Sequence, residues 1–110
     1  MRILYSPEAR EDLNEIKRFI STEYHNPQAA KRIVQQIMQS CSNLRQFPQL
    51  GMRLSEKLQR ETPLRFLISG NHIAFYRIEG SDIRVTRILD GRTSYLRVLF
   101  GEAEEGDSAL

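Results

Sequence analysis

Residues 73–92 read IAFYRIEGSDIRVTRILDGR, two strand-forming runs that meet at Glu79-Gly80-Ser81-Asp82 and end in Leu89-Asp90-Gly91-Arg92. A hairpin of this length has to bury one face of its pleat, so the rest of the chain must supply a layer that covers it. The same segment carries Arg77, Arg84, Arg87 and Arg92 beside Tyr76. Guanidinium groups hydrogen-bond phosphates and carboxylates in a fixed fork, so arginines gathered on strands point to an anion-rich surface or another protein as partner. In strict alternation Arg84 and Thr86 share one face, while Ile83, Val85 and Leu89 share the other. Arg87 then falls with the apolar set, partly covered and in need of a partner unless a bulge rotates it.

The covering layer is legible upstream. Arg2-Ile3-Leu4-Tyr5 is a short strand that stops at Ser6-Pro7, where serine caps a helix and proline suits its first position. Ala9, Leu13, Ile16 and Ile20 recur at helical spacing, which predicts a first helix over residues 7–24, with Glu8, Glu11, Asp12 and Glu15 in its first turns. Asn26-Pro27 repeats the punctuation and starts a second helix. Its stripe of Ala30, Ile33, Val34, Ile37, Met38, Cys41 and Leu44 runs toward Phe47 before Pro48 and Gly51 end it. A turn this short makes the two helices an antiparallel hairpin.

Residues 49–63 are polar and irregular, with a helical turn around residues 56–59. Residues 64–69 and 72–78 read as strands joined by Gly70-Asn71, and residues 83–89 as a third strand. Residues 93–100 suit a short helix or strand. The expected fold is therefore α+β and two-layered: an N-terminal strand plus a helical hairpin packed on an antiparallel sheet of about four strands, with the far face of the sheet open and rich in arginine. Residues 1–101 form one domain in this reading, and residues 102–110 an acidic, disordered tail.

Charge is uneven along the chain. Sixteen basic and fourteen acidic residues give a net +2, but Glu102, Glu104, Glu105 and Asp107 lie in the last ten residues, which hold no Lys or Arg. The body of the chain is more basic than the total suggests, and the excess sits in the sheet half. Attraction would draw the tail toward that half, yet four carboxylates on a flexible tail are screened beyond about 8–10 Å in physiological salt, so no shielding is expected. Cys41 is the only cysteine and falls on the core stripe, which makes it a buried small hydrophobe and excludes an internal disulfide. The sequence holds no apolar run of membrane-spanning length, so a cytosolic protein without membrane contact is expected.

One family places residues in this order. Tyr5-Ser6-Pro7-Glu8-Ala9 leads to Asp12-Leu13 and Ile16. Asn26-Pro27 follows with Ala29-Ala30-Lys31-Arg32 and Ile37, then Leu44 with Phe47-Pro48 and Gly51, then Tyr76-Arg77. Ile83-Arg84-Val85 with Arg87-Ile88-Leu89-Asp90-Gly91-Arg92 completes the series. Together these resemble the ParE/RelE superfamily of bacterial type II toxin-antitoxin toxins, across nearly all of residues 3–100. The resemblance implies a small toxin neutralised by a cognate antitoxin that wraps around it, with operator DNA reached only through the antitoxin and no cofactor or metal. ParE-like members inhibit DNA gyrase by binding, whereas RelE-like members are endoribonucleases that cut messenger RNA on the ribosome. A third outcome is a toxin-derived protein that has lost toxicity and survives as an antitoxin's binding partner.

Chemistry arbitrates between the two activities. Cleaving RNA through its own 2′-hydroxyl needs a proton acceptor, a proton donor for the leaving oxygen and cations for the phosphate. Asp90 stands just before Gly91-Arg92, where many relatives carry histidine, and a carboxylate there repels a phosphate and is a poor base at neutral pH. A ParE-like binding protein is therefore the first reading, with Arg65, Arg84, Arg87 and Arg92 as target-binding residues. In the nuclease alternative Arg87 and Arg92 clamp the phosphate and Tyr95 transfers protons, supported by Arg65. The bland reading of the same residues is structural: Arg87 and Arg92 paired with Asp90 or Asp82, Tyr95 packed at the sheet edge, and His72 a partly exposed hairpin side chain.

Overall fold

The computed structural model describes residues 1–101, so the expected disordered tail lies outside the described residues. In chain order the elements are β1 Arg2–Tyr5, α1 Pro7–Glu23, α2 Pro27–Ser42, a 3-10 turn at Asn43–Arg45, β2 Met52–Arg53, α3 Leu54–Leu58, β3 Arg65–Ser69, β4 His72–Glu79, β5 Asp82–Asp90 and α4 Tyr95–Phe100. The strands form one sheet in the order β1-β5-β4-β3-β2. Four strands were expected and antiparallel pairing assumed throughout. The fifth is the two-residue β2, and β1 runs parallel to β5 because the α1–α2 hairpin carries the chain over the sheet before it returns.

Both long helices begin as their punctuation predicts. The Ser6 hydroxyl accepts the Ala9 N–H at 3.0 Å and donates to the Thr86 carbonyl at 2.8 Å, so one buried serine caps α1 and fastens it to β5. The Asn26 side chain accepts the Ala29 N–H at 3.0 Å and caps α2. Each cap is worth about 1 kcal/mol. The faces these helices present, Ala9 and Leu13 with Ile37, Cys41 and Leu44, pack on Ala74, Tyr76, Ile83, Val85 and Ile88 of the sheet. Burial pushes the Cys41 thiol above its ordinary pKa, so it stays protonated in the core.

Strict alternation fails on β5 at one point. Phe75 faces Arg87 and Tyr76 faces Val85, which leaves Thr86 as an extra residue, a bulge pinned by its hydroxyl donating to the Phe75 carbonyl at 3.2 Å. Beyond it the faces exchange. Ile88 joins Ile83 and Val85 under the helical hairpin, and Leu89, expected there, goes to the opposite face.

That opposite face is not left open. Leu89, Phe75 and Phe66 form a second small core with Leu54, and Leu58, Leu64, Ile73, Tyr95, Leu99 and Phe100 pack around it. The segment that reads as an irregular loop therefore folds into β2 and α3, because Leu54 and Leu58, one helical turn apart, have an apolar surface to cover. The short α4 covers the other part of the same cluster.

Candidate target-docking surface

Arg65, Arg77, Arg84, Arg87 and Arg92 divide into four settings. Arg87 follows the bulge on the part of β5 that extends past the end of β1. Its Nε and Nη2 donate to the two oxygens of Asp12 at 2.7 and 2.8 Å, and the same carboxylate accepts the Ile88 N–H at 2.9 Å. The sequence pointed to Asp90 or Asp82 as partner. The real one is Asp12 of α1, which meets Arg87 at the edge of β5 beyond Val85, where β1 has ended. Nothing in the run Glu8, Glu11, Asp12 and Glu15 singles out Asp12 without the fold.

Arg65 at the start of β3 holds a loop. Its Nη1 donates to the Gly51 carbonyl at 2.9 Å, while the Tyr76 hydroxyl accepts the Gly51 N–H at 2.9 Å and donates to the Pro48 carbonyl at 2.8 Å. Gly51 is confined by this arrangement: a Cβ there would lie 2.6 Å from the Phe66 carbonyl oxygen and 2.7 Å from the Tyr76 ring.

At the β4–β5 turn the charges form a chain. Arg77 and Arg84 are cross-strand neighbours, and Glu79 accepts from both, from Arg84 at 3.0 Å. Asp82 pairs with Arg2 through two hydrogen bonds of 3.0 and 3.1 Å. Hydrogen bonds from Arg84 and from Arg2 hold the Glu79 and Asp82 carboxyls below their ordinary pKa values.

Arg92 sits at the opposite end of the hairpin. Its backbone N–H and its Nε both donate to Asp90, at 2.8 and 3.1 Å, and its side chain remains 89% exposed. These bonds hold the Asp90 carboxyl below the usual range, while burial pushes the neighbouring His72 imidazole down despite the opposing pull of Asp90. His72, Asp90 and Arg92 form one wall of an open groove of about 810 Å³, whose apolar wall is Ile16, Phe19 and Ile20 with Ile33. Phe19 is 54% exposed there. Among the described residues no group of three or more His, Cys, Asp or Glu could hold a metal ion, and no helix is long and apolar enough to cross a membrane.

The family model described as ParE toxin of type II toxin-antitoxin system, parDE, matches residues 3–95. The chain belongs to the ParE toxin family. It is also similar to a solved chain of the chromosomal ParDE toxin-antitoxin system from P. aeruginosa, with 26% identity and a TM-score of 0.67 over 82% of this chain and 95% of that one. No curated protein matches its sequence. The sequence thus describes a type II toxin-antitoxin toxin of the ParE kind.

On this ParE toxin the candidates Arg65, Arg84, Arg87, Arg92 and Tyr95 do not converge on one point. Tyr95 packs its ring 5.7 Å from that of Phe75, and the Lys57 ammonium lies 5.7 Å from the Tyr95 ring and 5.2 Å from that of Phe66. Arg60, after α3, lies over Phe100 of α4 with 4.4 Å from the guanidinium carbon to the ring centre. Lys57 and Arg60 belong to the stretch of residues 49–63 that reads as a polar, irregular loop. The i,i+4 pair Leu54 and Leu58 is the signal that residues 54–58 form a helix over the second sheet face, with Lys57 on it and Arg60 just after it.

Proposed function

We propose that this toxin acts by docking on DNA gyrase or a related target in the cytoplasm, and that a cognate antitoxin neutralises it by covering that surface. Residues 1–101 are the toxin domain in this reading and residues 102–110 an appendage. The observation that carries a binding mechanism over RNA cleavage is the Asp90–Arg92 pair. An ionised carboxylate stands where a cleaving site needs a proton carrier, and its hydrogen bonds to Arg92 favour that ionised form further. Arg92 and Arg84 supply exposed or half-exposed cations for the target, while Arg65 and Arg87 act indirectly, holding the Gly51 loop and the end of β5 in place.

Two cell-free assays with purified toxin test this reading. One follows gyrase supercoiling of a relaxed plasmid and the other the integrity of a translated messenger RNA. Blocked supercoiling with intact RNA is expected. RNA cut at codon spacing with normal supercoiling would replace the docking mechanism by the nuclease one, and inactivity in both would leave a toxin-derived binding partner. Co-expression with the product of an adjacent small acidic reading frame should yield a co-purifying pair.

A further inference from the structure

Three grooves on the described surface differ in charge. Glu56 lines one, Glu15 and Asp90 line another, and the third, of about 620 Å³, has no carboxylate among its lining residues. It runs between α2 and β1. Arg32, Met38 and Gln39 come from α2, Arg45 from the turn that follows, and Ile3 and Tyr5 from β1. Both arginines are exposed, and neither pairs with a carboxylate among the described residues. β1 itself is an edge strand, paired only with β5. The Ser6 N–H donates to the Val85 carbonyl at 2.9 Å, so the period of two turns the backbone groups of Leu4 toward β5 and those of Ile3 and Tyr5 outward, on the side of the groove. Among the described residues nothing bonds to these outward N–H and C=O groups.

We propose that this groove is a strand-docking site for an extended acidic segment of a partner protein, added as a sixth strand along β1. Carboxylates four residues apart on that segment meet Arg32 and Arg45, and an apolar side chain between them lies over Ile3 and Met38. Two independent features select this occupant. The unpaired N–H and C=O groups of an edge strand are matched in spacing by another extended chain, and cations without local acids select carboxylates on it. The dimensions agree: α2 rises about 15 Å from Arg32 to its end at Ser42, and side chains four residues apart on a strand are about 13 Å apart, within reach of two long guanidinium stems. A second copy of this chain is a poor occupant, since pairing β1 with its own symmetry mate sets one acid-free cationic groove against another. The side chains of Ile3 and Tyr5 lie on the helix side of the sheet, opposite Arg84, so the site is separate from the target-docking arginines and stands whichever target the toxin engages.

A fluorescein-labelled, end-blocked peptide of eight residues, with Glu second and sixth, Val fourth and Thr elsewhere, tests this on the full chain. Saturable binding at low salt is expected, read by anisotropy. In the complex, amide exchange at Ile3 and Tyr5 should slow about tenfold or more, with Leu4, already bonded to β5, as the internal control. Arg32→Gln combined with Arg45→Gln should weaken the peptide about tenfold, the loss expected for two partly exposed ion pairs, with an unchanged unfolding midpoint. N-methylation of the peptide backbone on its pairing edge keeps the charges and should abolish binding. No binding at about 1 mM peptide, or equal binding of the N-methylated peptide, would overturn the proposal. So would a single-stranded oligonucleotide of equal charge that displaces the peptide and leaves exchange at Ile3 and Tyr5 unchanged, since the two arginines would then belong to a phosphate site.

Discussion

Asp12 on α1 holds Arg87 on β5 by both oxygens, at 2.7 and 2.8 Å, and accepts the Ile88 N–H at 2.9 Å with one of them. β1 accompanies β5 only as far as Val85. Past that point the edge of β5 has no neighbouring strand, and the helix supplies the missing acceptor from a side chain. The Asp12 side chain is 12% exposed and that of Arg87 30%, so the pair is screened only in part.

Asp12→Ala should therefore destabilise the fold by about 2–3 kcal/mol, read from urea unfolding, because it strands both a backbone N–H and a half-covered guanidinium. Arg87→Ala leaves the Ile88 N–H satisfied and should cost less. Additive losses in the double variant would show that the two residues are not coupled.

The Gly51 loop makes a steric prediction. Gly51→Ala places a methyl group 2.6 Å from a backbone carbonyl and 2.7 Å from the Tyr76 ring, so the loop must shift and release the Tyr76 hydroxyl. A loss of about 2–3 kcal/mol is expected, against about 1–2 kcal/mol for Tyr76→Phe, which keeps the packing and removes two hydrogen bonds. Wild-type unfolding midpoints for Gly51→Ala would mean that the loop does not need this close approach.

Stability should fall as pH drops below the ordinary histidine value of 6.5. Burial lowers the folded-state pKa of His72, so the unfolded chain takes up this proton first. The contribution is present above about pH 6.5 and is lost as pH falls through the folded-state value. Asp90 opposes the shift without reversing it. Melting temperatures at pH 7.5 and pH 5.5 should differ more for the wild-type chain than for His72→Gln, and equal differences would count against this role.

Arg92→Ala separates function from folding. The side chain is 89% exposed and its partner Asp90 belongs to the same turn, so unfolding should change by less than about 0.5 kcal/mol. Growth arrest on expression should be abolished. A variant that remains fully toxic would place Arg92 outside the docking surface.

The sequence by itself determined what depends on neighbours along the chain. Ser6-Pro7 and Asn26-Pro27 set the starts of α1 and α2, the apolar stripes set their buried faces, and Gly70-Asn71 with Gly80-Ser81 set the two hairpin turns, because caps, periodicity and turn chemistry act over three to five residues. Tertiary structure decided everything that depends on contacts distant in sequence. The bulge at Thr86 exchanged the faces of Ile88 and Leu89, the second core turned residues 54–58 into a helix, and Asp12, 75 positions from Arg87, became its partner. The arginines expected on an open sheet face are instead occupied at separate points, and Lys57 and Arg60 lie over aromatic rings. Side-chain direction on a strand is a local property until one extra residue breaks the alternation, and where an extra residue is tolerated depends on the elements packed above and below it.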